Sequence, residues 1–142
     1  MRDFPIDRIM TADPATVGPH ATVIEAQGLL DNNAIHHLPV VEGERLVGIV
    51  SSSDLLKLHL LDDHLSIYER ITVDQVMETN VVVLHEKATL RDAAEKLCMG
   101  YFHALPVVDR RRRLRGIVTV SDLMGELLKQ LPASGPVSRE NR

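Results

Sequence analysis

The stretch Gly48-Ile49-Val50-Ser51-Ser52-Ser53-Asp54-Leu55 returns later in the chain as Gly116-Ile117-Val118-Thr119-Val120-Ser121-Asp122-Leu123. An apolar run that ends in Ser or Thr and continues into Ser-Asp-Leu reads as a strand passing directly into a helix. Meeting it twice, at an offset of 68 residues, raises the question of whether the rest of the chain repeats too. At an offset of 67, Asp7 meets Asp74, Met10 meets Met77, and Ala21-Thr22 meets Ala88-Thr89. The same register lays His36 on His103, and Leu38-Pro39-Val40-Val41 on Leu105-Pro106-Val107-Val108. One inserted residue in the second half accounts for the change of offset. The chain is a tandem duplication.

Each copy follows one order. A short helical turn (Ile6–Met10, Val73–Met77) leads to an extended piece around Thr16-Val17 or Val82–Leu84. An amphipathic helix follows, from Val23 to Asn33 and from Leu90 to Met99, with Thr22 and Glu25, or Thr89 and Asp92, at capping-box spacing. Leu38–Val41 and Leu46–Ser51 read as strands around the turn Glu42–Arg45, and Leu105–Val108 and Leu114–Thr119 match them. A second helix closes each unit, from Ser53 to about Leu61 and from Ser121 to about Leu131. The class is α/β in the broad sense (α+β). Repeats of this length bury too little surface alone, so the two are expected to pack as a pseudo-two-fold module with related grooves. The expected division is repeat 1 over 6–61, a connector over 62–72, repeat 2 over 73–131 and a disordered tail over 132–142. The leucines of the second helix (Leu55, Leu56, Leu58, Leu60, Leu61) exceed what one core needs, which points to a homodimer.

Composition narrows the function classes. Of 142 residues 44% are hydrophobic, yet only Phe4, Tyr68, Tyr101 and Phe102 are aromatic, too few to stack a single-stranded nucleic acid. A net charge of -4 offers no general attraction to phosphate backbones or anionic lipid. Mean hydropathy is -0.02, and the apolar runs Leu46–Val50 and Val81–Leu84 are far too short for a bilayer. Cys98 is the single cysteine and the first residues lack a signal-peptide pattern, so a reduced, cytoplasmic setting is expected.

The start of a helix after an apolar strand presents unpaired N–H groups and a positive dipole end, which suit a phosphate. Ser51 and Thr119 add a hydroxyl there, and Asp54 and Asp122 carry oxygens that can accept from the hydroxyls of a ribose. His36 and His103 stand just before a strand in both copies, where an imidazole can pair with phosphate near neutral pH. The apolar edge around Val17 and Val83 can hold a flat base. Each feature has a plainer reading. Ser51 with Asp54 and Thr119 with Asp122 are spaced as capping boxes, the histidines sit at strand edges, and apolar strand residues belong to cores.

Met10-Thr11 and Met77, the two His-x-Leu-Pro-Val-Val segments and the two Gly-Ile-Val-Ser/Thr-x-x-Asp-Leu segments resemble the CBS domain, named for cystathionine β-synthase. The pair is similar to a stand-alone Bateman module over roughly Ile6 to Leu131. That resemblance implies tandem β-α-β-β-α repeats that dimerise and hold an adenosine compound: AMP, ADP, ATP, NAD or S-adenosylmethionine. Carried over by position, it implies phosphate and ribose contacts at Ser51, Asp54 and His36 in one site and at Thr119, Asp122 and His103 in another. A weaker base pocket would involve Thr16, Val17, Pro39, Val83 and Pro106. The chain departs from the common pattern with Ser51 where Thr is usual, and with Val82-Val83-Leu84 in place of the Thr16-Val17 of the first copy.

Other features carry less. Arg110–Arg113 with Arg115 is a basic run, but it falls where a hairpin turn belongs. His20, His59, His64, His85 and Cys98 show no zinc spacing. No Gly-x-Ser-x-Gly elbow, P-loop or Gly-x-Gly-x-x-Gly occurs, so an enzyme is not expected and no cofactor is required. Two functions remain: a regulatory sensor of an adenosine ligand that acts on a separate effector protein, or a ligand-free dimeric interaction scaffold. Nucleic acid and membrane are not expected partners.

Overall fold

Hydroxyl side chains start all four α-helices seen in the computed structural model, which describes residues 3–61 and 68–133. Thr22 accepts the Glu25 amide at 3.1 Å, one half of the expected box, and starts α1 (Val23–Asn33). Ser51 and Asp54 bond reciprocally at the head of α2 (Ser52–Leu61). Thr89 with Asp92 and Thr119 with Asp122 form complete boxes at α3 (Leu90–Cys98) and α4 (Val120–Gln130). Caps of this kind stabilise a helix by about 1 kcal/mol each.

The antiparallel pair β2 (His37–Glu42) and β3 (Arg45–Ser51) recurs as β5 (Ala104–Val108) and β6 (Leu114–Thr119). Each pair carries one register shift, between Val40 and Val41 or Val107 and Val108. In the second copy the pair widens to four strands, ordered β1-β6-β5-β4, with β1 (Thr11–Ala12) antiparallel to β6 and β4 (Leu84–His85) parallel to β5. The first copy marks the same neighbours by single bridges, Ile49 to Glu78 and Val17 to Val40. The expected extended piece at Thr16-Val17 is therefore one bridge long. Gly18-Pro19 follows at once, and proline has no N–H to continue a ladder.

β1 belongs to the first copy by sequence and to the second by pairing. The leading segment of each copy crosses to the other. Ile6 lies in a core with Leu84, Ala93, Leu97, Leu105, Val107 and Val118, while Val73 lies with Val17, Val23, Leu30, Leu38, Val40, Val50 and Leu55. Backbone bonds fix each crossing. Ile6 donates to Ala88 at 2.8 Å and Leu90 to Phe4 at 2.7 Å; in the counterpart, Val73 donates to Ala21 at 2.8 Å and Val23 to Ile71 at 3.0 Å. The hairpin turns also meet, through Leu46 N–H to the Arg112 carbonyl and Leu114 N–H to the Glu44 carbonyl.

The basic run forms one of these turns. Buried Asp109 accepts the Arg111 and Arg113 amides at 2.9 Å each and the Arg113 Nε at 2.7 Å, and Arg112 takes φ 64° and donates Nε to the Leu46 carbonyl. On α2, Leu55 is buried, whereas Leu56 and Leu60 are exposed. No residue of α4 is fully buried, and Met124 and Leu128 face outward. Residues 62–67 of the expected connector and 134–142 of the expected tail lie outside the described residues.

Each crossing closes on a glycine. A Cβ at Gly116 would stand 2.7 Å from the Met10 sulfur and 2.8 Å from the Thr11 carbonyl oxygen. At Gly48 it would stand 2.5 Å from the Met77 sulfur and 3.0 Å from the Glu78 carbonyl oxygen. Because backbone as well as side chain must yield, Gly116→Ala is expected to cost about 1–3 kcal/mol, measured by urea unfolding. An Ala variant as stable as the parent would show that the segments are not packed this closely.

Candidate functional site

The crossing brings parts of both copies around a cleft of about 860 Å³. From the first copy come Thr11 on β1, Asp13, Pro14 and Ala15 beyond it, the segment Asn33–His37 joining α1 to β2, and Ser51–Ser53 at the start of α2. The second copy contributes His103, Ile117 on β6, and Thr119 to Asp122 at the start of α4. β1 runs beside β6, with Thr11 opposite Ile117, and this pairing sets the first group next to the last. Two lining residues, Asp13 (φ 47°) and Ala34 (φ 51°), hold the left-handed conformation, which costs a non-glycine residue about 1–2 kcal/mol. Ala34 is the C-cap of α1 and turns the chain toward β2.

Two helix N-termini meet here, with matching hydrogen bonding. The first four N–H groups of a helix have no partner within it. At α4, Asp122 Oδ2 accepts the Thr119 amide at 2.8 Å, His103 O accepts the Val120 amide at 3.1 Å, and Thr119 Oγ1 accepts the Asp122 amide at 3.2 Å. These bonds leave over the amide of Ser121, a residue that lines the cleft. At α2, Asp54 Oδ2 accepts from Ser51 at 3.2 Å, His36 O from Ser52 at 2.8 Å, and Ser51 Oγ from Asp54 at 3.1 Å. Ser53 is left over in the same way and also lines the cleft. The capping reading of both Ser/Thr-x-x-Asp pairs is thus correct. It uses one carboxylate oxygen of each Asp, and Asp122 has a second to offer in the cleft.

The histidines help the caps through their carbonyls, while their rings add a different chemistry. His36 Nδ1 lies 3.3 Å from Ser52 Oγ. His37, on β2 opposite Ser51, is half-buried, and its pKa is lowered, first by burial and then by repulsion from His103 and His36, with Asp54 pulling the other way. A negative group bound beside His37 would offset that repulsion and favour its charged form.

Five of the six phosphate and ribose candidates, His36, Ser51, His103, Thr119 and Asp122, line this single cleft; Asp54 does not. They were grouped by copy in the sequence reading, whereas the fold gathers members of both copies around one space. None of the five base-pocket candidates lines it. Pro39 and Pro106 are buried in the strands, and Val17 is buried beside β2 with its N–H bonded to the Pro39 carbonyl. Thr16 is half-buried, and the Val83 carbonyl accepts Lys96 Nζ at 3.0 Å. The lining that sequence reasoning missed is Thr11 and Asp13–Ala15, the turn Asn33–Ile35, and His37. Only His37 was signalled, by its place beside His36. Among the described residues no group of three or more His, Cys, Asp or Glu could hold a metal ion, and no helix is long and apolar enough to cross a membrane.

Known proteins share this arrangement. The protein MJ1225 of Methanocaldococcus jannaschii is 29% identical over 127 residues, which make up 84% of this chain and 45% of that protein. This chain therefore spans less than half of that curated relative. The structure of CBSX2 of Arabidopsis thaliana in complex with AMP matches with a TM-score of 0.76 and 30% identity, over 89% of this chain and 97% of that one. The CBS domain pair of protein MJ0100, in complex with 5′-methylthioadenosine and S-adenosyl-L-methionine, matches with a TM-score of 0.74 and 31% identity, over 87% and 98%. The model of the CBS domain matches residues 6–60 and again 73–129, and with the duplication, the crossing and the paired helix starts this chain belongs to the CBS domain family.

Proposed function

We propose that this chain is a regulatory module that binds an adenosine-type ligand in the cleft between its two repeats and transmits occupancy to a partner. One observation carries the reading. Two capped helix N-termini, each with an amide left over, face one cleft together with a free carboxylate oxygen of Asp122 and three histidines. The cleft's size suits a small molecule. A ribose would donate its hydroxyls to Asp122, and a phosphate would lie against Ser53, Ser121 and the imidazoles. The relatives bound to AMP and to S-adenosyl-L-methionine support an adenosine compound. Ser52 stands by the His36 imidazole, but among the described residues no third group orients that ring, so the ligand is read as held and not turned over.

Because the lining comes from both copies, a bound ligand ties them together and favours one relative packing over another. That difference is the signal available to an effector protein. The outward leucines of α2 and the outward Met124 and Leu128 of α4 are the surface through which the chain would pair with a second copy. A scaffold without ligand is the competing reading, favoured by the completed caps of Ser51–Asp54 and Thr119–Asp122.

Two measurements test this account. His37 has a lowered pKa in the folded protein, so the unfolded chain binds its proton more readily. Its contribution to stability is complete above the ordinary histidine value near 6.5 and is lost as the pH falls below that value and through the lowered folded one. Thermal midpoints from about pH 7.5 to 5.5 should therefore decline, and His37→Gln should flatten the decline; an equally steep decline in the variant would remove His37 from the account. Melting with ATP, ADP, AMP, NAD and S-adenosylmethionine in turn should raise the midpoint with at least one, by about 2.7 kcal/mol of stability at a hundredfold excess over Kd. Asp122→Asn keeps one oxygen for the cap, stays folded and loses that rise. A level midpoint across all five compounds leaves the scaffold reading standing.

A further inference from the structure

We infer that the chain holds one adenosine ligand and not two, although its duplication sets out two places for one. The inference rests on the adenosine reading above. The two-fold relation of the copies places a second recess at the counterpart of the cleft. Glu78 and Asn80 stand where Thr11 and Asp13 stand in the cleft, Val81-Val82 where Pro14-Ala15 stand, and Tyr101-Phe102 where Ala34-Ile35 stand.

Two differences close it to a nucleotide. Its volume is about 280 Å³ against 860 Å³, and small-molecule pockets begin near 300 Å³. The bulk of Val81, Val82 and Phe102 over Pro14, Ala15 and Ile35 accounts for part of that loss. Second, the recess has no helix start of its own. Ser51–Ser53, which symmetry would assign to it, line the larger cleft, and neither they nor Asp54 line the recess.

Both anion-binding helix starts of the duplication are therefore spent on one molecule. Its ribose sits at Asp122 in the second copy, and its polar end reaches Ser51–Ser53 in the first. Duplication has given one two-sided site, and Val81 with Val82 mark the side that has closed.

Isothermal titration calorimetry of the whole chain with ATP, ADP, AMP, NAD and S-adenosylmethionine tests this. The compound that binds should do so at one per chain. Asp122→Asn should abolish all of its heat, and Val82→Trp, which fills the recess at an exposed position, should leave affinity and stoichiometry unchanged. Two ligands per chain would overturn single occupancy, and a full one-site isotherm remaining in Asp122→Asn, or heat lost in Val82→Trp, would overturn its placement in the cleft, all while leaving the adenosine reading intact. No heat with any of the five compounds would overturn the adenosine reading, and single occupancy with it.

Discussion

The absence of a side chain at Gly48 and Gly116 is the constraint on which this molecule is built. Each glycine sits on the second strand of its copy's hairpin, and each lets the opening segment of the other copy lie flat against that strand, with a methionine sulfur in the space a Cβ would occupy. A thioether suits the place because it is unbranched and polarisable, and it fills a shallow gap without needing a polar partner. Once Met10 and Met77 are seated, Ile6 and Val73 enter cores made by the opposite copy, and neither half is complete alone.

That exchange also makes the cleft. The residue after Met10 pairs with Ile117, two positions before Thr119, so the loop carrying Asp13–Ala15 reaches the head of α4. The hydrogen bonds that end the strands and start the helices do double duty there. They satisfy most of the first-turn donors and leave one amide from each helix beside the histidines. Binding in such a place would act on the contact between copies, because the walls of the cleft belong to both. A change of packing at this contact would reach the outward faces of α2 and α4, where a partner could read it.

Much of this was legible in the sequence because it is local. α1 and β6 have the ends that periodicity and capping residues assign them, and the hairpins and second helices differ by a residue or two. The boxes at Thr89, Thr119 and Ser51 follow from spacing alone. What stayed hidden depends on contacts between distant segments. Repeat comparison aligns Met10 with Met77 but cannot say that each packs on the other copy, since the pattern is the same whether the segment stays or crosses. For the same reason the candidates were divided by copy. The base-pocket candidates Val17, Pro39 and Pro106 are buried on or beside strands, where an apolar residue reads alike as core or as a surface for a ring. The turn at Ala34 gave no warning, because alanine carries no preference for the left-handed conformation it adopts there.

The central claim is that one ligand bridges the two repeats at the crossing. Amide hydrogen exchange, compared with and without the adenosine compound that raises the melting point most, tests it directly. Protection should rise together in Thr11–Ala15, Asn33–His37, Ser51–Ser53 and Ile117–Asp122, drawn from both copies, while 78–82 and Tyr101-Phe102 stay as they were. Protection confined to one copy, or equal in the two symmetry-related places, would contradict it.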